Sequence, residues 1–305
     1  MDRIVWVIAV VFALFIGEAR SSDFIVYSHL NVNLFRYDEN GDRVFQFAEP
    51  ESFGDLLGLA RGADGSLYAS SAGFNRIHRF DISSGTYLNR IYDGPGLSGA
   101  TRITVGPDNL IYASNRLDNS IARIDPDTGT FVDYFVPSSS GILDTPRSLV
   151  FGPDGNLYVG NDGDDSIKRF DGVTGDFIDT FVSSGNGGLD FPGGIIFGKD
   201  KNLYVCSRNT NSILRYSGRD GSFIDIFIDS AGNSLDIPVY MAIDARGDFF
   251  VCSVNNDSIL QFDWATGDFV KTFIPSGTPG INGPSTILYL DSPLPASNEN
   301  WNLYE

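Results

Sequence analysis

The chain is predicted to be all-β: a six-bladed β-propeller of four-stranded antiparallel blades, its ring closed by a C-terminal strand (residues 284–290) that joins the N-terminal blade (23–47). Three observations predict it. First, one unit recurs: Asp171, Gly175, Phe181 and Pro192 return 46 residues later as Ser217, Gly221, Phe227 and Pro238, then as Asp263, Gly267, Phe273 and Pro284. Second, each unit is made of short apolar-alternating runs parted by turn residues, with no stretch periodic enough for a helix. Third, the series of first strands is shifted against the others, so that the chain ends on an orphan strand.

Residues 146–181 (PRSLVFGPDGNLYVGNDGDDSIKRFDGVTGDFIDTF) display the unit most clearly. Strand a surrounds Ser148 and Val150, and the turn Gly152-Pro153-Asp154-Gly155 follows, with Pro presetting φ and Gly accepting positive φ. Strand b is Asn156–Val159, strand c is Ser166–Phe170 and strand d is Asp176–Phe181, with a glycine-ended hairpin between c and d. Strand b is marked by Ile25, Tyr68, Tyr112, Tyr158, Tyr204 and Phe250, and the c–d hairpin by Gly41, Gly85, Gly129, Gly175, Gly221 and Gly267. Strand a instead begins near Leu56, Ala100, Pro146, Pro192, Pro238 and Pro284. The first unit thus lacks strand a, and Ser285–Leu290 supplies it, which closes the ring and leaves no wide edge.

A propeller of this length is one domain, residues 23–291. Ahead of it, Arg3 precedes an apolar run from Ile4 to Ile16, and Gly17-Glu18-Ala19 offers small residues at the −3 and −1 positions. That pattern predicts a signal peptide over residues 1–19 and a secreted or periplasmic protein; the run is too short for a comfortable membrane span. Residues 292–305 read as a loosely held polar tail. The net charge of −18 argues against nucleic acid and anionic membrane surfaces as partners. Cys206 and Cys252 occupy one strand-b position in neighbouring blades. Sheet packing separates such positions by ~10 Å, beyond the roughly 4.4–6.8 Å that a disulfide spans, so two buried free thiols are expected.

The stretches FGPDGNLYV (151–159), SIKRFDGVTGDFIDTFV (166–182) and GGLDFPGGIIFG (187–198) resemble the NHL-type repeats and the wider six-bladed family with gluconolactonase-like and streptogramin-lyase-like members. The likeness runs over roughly residues 23–291 and specifies the repeat rather than an activity. In the gluconolactonase-like enzymes it implies a divalent cation held from the start of strand a. The matching residues are Leu57, Thr101, Arg147, Gly193, Val239 and Ser285, none of them Asp, Glu or Asn, which disfavours a hard cation. The lyase-like enzymes imply histidines near a metal, whereas this chain has only His29 and His78, on different strands. No GxSxG elbow, CxxC pair or Walker loop is present.

No cofactor is therefore expected. Calcium at the acidic loop Asn161-Asp162-Gly163-Asp164-Asp165 is the one weak candidate. The arginines repeated in strand c (Arg36, Arg79, Arg123, Arg169, Arg215) read as structural, paired with Asp38, Asp81, Asp125, Asp171 and Asp263. What does not repeat is the better guide to function. Arg102, Arg116, Arg147, Asp162, Arg208 and Asn209 fall on the face formed by the b–c and d–a loops of blades 3 to 5. Two readings compete: a site for an anionic or polyhydroxylated ligand, such as a glycan or an acidic peptide, on a monomeric extracellular binding module, or arginines that pair with loop aspartates such as Asp118 and Asp162 and bind nothing. The competing expectations are a lyase or hydrolase with a divergent channel site, favoured by polar groups converging with His29 or Asp162, and a structural surface-layer component. A channel plugged by Leu57, Val239 and Tyr240 would favour the binder.

Overall fold

A computed structural model describes residues 22–48 and 54–290. The expected signal peptide and tail lie outside them. The described chain forms six sheets of four strands each. The innermost strands are Leu56–Arg61, Ala100–Val105, Pro146–Phe151, Pro192–Phe197, Pro238–Ile243 and Pro284–Tyr289, starting at the residues that the repeat marks. Pro284–Tyr289 pairs antiparallel with Phe24–Ser28 (Phe24 opposite Tyr289, Val26 opposite Ile287), so the last strand completes the first blade. With blade 1 holding both ends, blades 2 to 6 span 56–93, 100–136, 146–182, 192–228 and 238–274. The only helical segments among the described residues are two short 3₁₀ turns, Ser138–Ser140 and Asn186–Gly188.

The repeated residues explain themselves in the ring. Tyr158 of strand b meets Phe181 of its own blade and Phe197 of the next edge-on, each with centroids 4.9 Å apart, and Tyr112 sits likewise against Phe135 and Phe151. Each tyrosine hydroxyl donates to the a–b turn aspartate four residues back, Asp154 and Asp108 respectively, which satisfies the one polar atom of a buried ring. Gly175 and Gly221 combine positive φ with close approach. A Cβ at either would overlap the carbonyl oxygen of Phe135 or Phe181 in the preceding blade.

Blades are stapled by a side chain that the repeat carries at one position of the b–c turn. Asn75, Asn119, Asp165, Asn211 and Asp257 all have positive φ. Their Oδ1 atoms accept from the backbone N–H of Gly99, Thr145, Phe191, Ile237 and Gly283 in the next blade, at 2.7 to 2.9 Å. Asn and Asp suit both demands, because they tolerate the left-handed region and bring an acceptor. The sixth position is Val32, which holds φ 54 without any such acceptor.

The strand-c arginines do not pair as expected. Arg123, Arg169 and Arg215 make two-pronged pairs with strand-d aspartates, Asp133, Asp179 and Asp225. Arg36 and Arg79 reach Asp23 and Asp64. The hairpin aspartates are occupied locally instead. Asp125 takes the N–H groups of Asp127 and Thr128, and Asp171 those of Val173 and Thr174. Cys206 and Cys252 are buried and free, as expected.

Two outcomes follow from this framework. Asn119→Ala should lower stability by about 1–2 kcal/mol, since it strands a backbone N–H at a blade junction, whereas Val32→Asn should raise it by about 1 kcal/mol by relieving a β-branched residue at positive φ; urea unfolding of the two variants checks both. The hairpin aspartates also set an acid limit. Hydrogen bonds from Ser83 and Ser84 hold the Asp81 carboxyl down to about 2, from an ordinary 3.8, and backbone N–H bonds lower Asp125, Asp171 and Asp263. A depressed folded-state value stabilises above the ordinary value and loses that stabilisation as pH falls, so unfolding free energy should drop between about pH 4 and pH 2. Denaturant midpoints measured across that interval test it.

Candidate functional site

The centre of the ring is built from the start of strand a, one residue deeper than the alignment places it. In blades 2, 4 and 6 the pairing of strand a with strand b skips a residue, from Leu56 to Gly58, Pro146 to Ser148 and Pro238 to Tyr240. This bulge turns the third residue toward the axis. The third-position set is Gly58, Arg102, Ser148, Gly194, Tyr240 and Thr286. Two large side chains, from opposed blades 3 and 6, fill the space left by the small ones. The Arg102 guanidinium lies 4.4 Å over the Tyr240 ring, donates to Thr286 Oγ1 and reaches the Ser285 carbonyl at 2.9 Å. Arg102 thus reaches past blade 2 to the closing strand in blade 1. It is 4% exposed, and burial lowers its pKa to about 10, with Arg147 adding to the shift and Tyr240 opposing it. Of the residues expected to plug the channel, Tyr240 does so, with Arg102 as its partner.

The thiols line the same wall. Burial raises Cys206 to about 12 and raises Cys252 as well, so both are protonated and unreactive at neutral pH.

Above this floor lies the mouth, formed where strand b ends. The residue just past strand b is His29, Ala72, Arg116, Asp162, Arg208 or Val254 in blades 1 to 6. At this position formal charge falls on Arg116, Asp162 and Arg208 of blades 3 to 5, with apolar Ala72 and Val254 on blades 2 and 6. Asp162 is 7% exposed; its Oδ2 accepts from Arg147 at 3.0 Å, and its Oδ1 is buried without a partner. Burial raises its carboxyl above the ordinary value, against the opposing pull of Arg147, Arg208 and Arg116. Arg208 lies over the Phe191 ring at 4.6 Å and against Gly193, where a Cβ would sit 3.3 Å from its Cδ. Its Nε is buried and unpartnered, and burial plus the nearby Arg147 lowers its pKa to about 10.

Of the six residues expected at this site, the structure brings Arg147, Asp162 and Arg208 together, with exposed Arg116 close enough to act on Asp162. Arg102 belongs to the floor, and its donors are spent on the closing strand. Asn209 turns away to bond Asp190 at 2.8 Å. Sequence reasoning missed Tyr240 as the stacking partner of Arg102 and Phe191 as the support of Arg208. The 46-residue interval linking Arg102, Ser148, Gly194 and Tyr240 was the available signal for the first.

Each aspartate of the acidic loop is engaged by the fold, with Asp162 Oδ1 left over. Asp164 takes Lys168, Ser166 and Asn161; Asp165 staples Phe191; Asp162 holds Arg147. Among the described residues no three His, Cys, Asp or Glu side chains converge as metal ligands. His29 faces Asp55 at 3.7 Å in blade 1, while His78 is buried beside Tyr87 in blade 2. The two histidines do not meet.

The arginines separate by role, and stability measurements should show it. Arg102→Met removes two charge-assisted hydrogen bonds to the closing strand and should cost about 3 kcal/mol. Arg208→Gln removes a cation with no ionic partner, held only over the Phe191 ring, and should leave stability within about 0.5 kcal/mol of the wild type, or above it. Thermal unfolding of both variants measures the contrast.

No protein-family model matches the chain, and no curated protein matches its sequence. Solved structures do. One in a crystal structure of a nidogen/laminin complex superposes with a TM-score of 0.72 at 16% identity, over 87% of this chain and 97% of that one. A catalytically inactive virginiamycin B lyase from Staphylococcus aureus with quinupristin gives 0.60 at 17% identity, over 87% of each chain. A streptogramin B lyase structure gives 0.56 at 22%, over 72% of this chain and 68% of that one. The resemblance read from the repeat stretches thus fits the architecture. At such identities it establishes the fold, a six-bladed β-propeller, and not an activity.

Proposed function

We propose that this protein is an exported, non-catalytic binding module that captures an anionic ligand at the mouth over blades 3 to 5. The observation that carries the reading is Arg208, a half-buried cation whose Nε is buried without a partner, with no ionic partner within 4 Å among the described residues and a lowered pKa. An unpaired buried charge costs stability, and such costs are retained where a ligand supplies the missing partner. Arg147 and Arg116 add positive charge around it on a protein that is acidic overall, which focuses the local field. The Arg102–Tyr240 floor beneath makes the mouth a shallow recess rather than a deep cleft, which suits holding the end of a larger molecule. Export rests on the leader-like residues 1–19 and is consistent with free thiols that are buried rather than exposed.

The test is retention on an array of acidic and neutral oligosaccharides and peptides. Acidic members should be retained at low salt and released at high salt, with at least tenfold weaker binding for Arg208→Gln. Retention unchanged by salt and by that substitution would overturn the reading. N-terminal sequencing of the secreted protein should begin at Arg20; a product that keeps residues 1–19 would overturn the export half.

A further inference from the structure

Asp162 and Arg208 carry opposite charges and face the same mouth, and each lacks a partner for a buried atom, Oδ1 on one and Nε on the other. Each feels the other electrostatically. Yet they form no ion pair within 4 Å, because each is held back. Arg147 ties down Asp162 through Oδ2 at 3.0 Å, and Arg208 rests on Phe191 and Gly193. An orphan acceptor and an orphan donor thus stand side by side, just past strands b of the neighbouring blades 4 and 5, with a gap between them that no ion pair closes. Asp162 is more than nine-tenths buried, so its free oxygen cannot turn to bulk solvent.

We propose that this gap is shaped for a hydroxy acid, a ligand that bears one carboxylate beside O–H groups, as an acidic sugar does; this rests on the binding-module reading above. The carboxylate takes Arg208, with Arg116 at the rim, and a neighbouring hydroxyl donates to Asp162 Oδ1. Neither simpler class satisfies both walls. A bare anion answers the arginines but meets the Asp162 carboxylate without a proton to offer, and like charges in contact are repelled. A neutral sugar can donate to Asp162 but leaves the arginines unneutralised. A site built to hydrogen-bond a hydroxyl rejects the analogue lacking it, because the buried acceptor is then left unpaired.

The experiment is calorimetric titration of the purified protein with D-glucuronate, D-glucose, acetate and sulfate at low salt, repeated with Arg208→Gln and Asp162→Asn. Glucuronate should bind at least tenfold more tightly than the other three. Arg208→Gln should weaken glucuronate at least tenfold while the unliganded protein keeps its melting temperature. Asp162→Asn should narrow the preference for glucuronate over acetate by removing the repulsion. If Asp162→Asn does not fold, the four-ligand comparison on the wild type and Arg208→Gln decides alone. Acetate or sulfate binding as tightly as glucuronate would overturn the hydroxy-acid assignment and leave the anionic mouth standing. If no probe binds, or if Arg208→Gln binds glucuronate like the wild type, the mouth is not the binding site and both readings fall.

Discussion

Closure of the ring is the constraint on which the rest depends. Each blade is assembled from strands close in sequence, except one: the pairing of Pro284–Tyr289 with Phe24–Ser28, made across almost the entire described chain. The chain entropy of bringing such distant segments together grows only slowly with loop length, and the other five blades already hold most of the ring in place. What the closing strand must supply is geometry. It meets blade 1 by a ladder, is led in by Asn282 and Gly283, whose N–H groups donate to Ser28 and Asp257 side chains, and receives Arg102 from blade 3, two blades away. The side chain that plugs the centre is therefore also the one that ties the last strand to the far wall.

The repeat separates scaffold from site by a simple physical criterion. Residues that recur are for the most part satisfied: staples accept, Arg123, Arg169 and Arg215 are forked onto strand-d aspartates, and the strand-b tyrosine hydroxyls reach turn carboxylates. Among the mouth residues that do not recur, satisfaction is incomplete, with one Asp162 oxygen and the Arg208 Nε left over. Local inconsistency inside an otherwise consistent fold is where function is to be sought, because stability gives no reason to keep it.

Most of the architecture was legible in the sequence. Strand a starts where Leu56, Ala100 and the four prolines mark it, and the missing first strand announced closure, because a blade needs four strands whichever end of the chain provides them. The channel was less legible. A bulge in strand a shifts the inward-facing residue by one, and a bulge leaves no compositional trace, so Arg147 and Val239 were aligned to the axis where Ser148 and Tyr240 belong. Arginine partners were missed for a related reason. Asp125 and Asp171 lie nearest in sequence to Arg123 and Arg169, but their carboxylates are taken by their own hairpins, while Asp133 and Asp179 face the arginines across the strand pair. For the mouth, the sequence identified the charged residues of blades 3 to 5; which of them remained unpaired depended on side-chain packing against Phe191 and Gly193, which no spacing encodes.

Six-bladed rings invite description as tubes, and the Arg102–Tyr240 contact changes that description. With guanidinium and phenol stacked together there, the bore is filled by side chains at this level. The mouth of blades 3 to 5 and the hollow on the reverse face, lined by Pro153, Asp200, Lys201 and Arg219, open on opposite sides of that contact. The molecule is a two-sided plate, and whatever each side holds is met from its own direction, with the rigid sheets between as their sole connection.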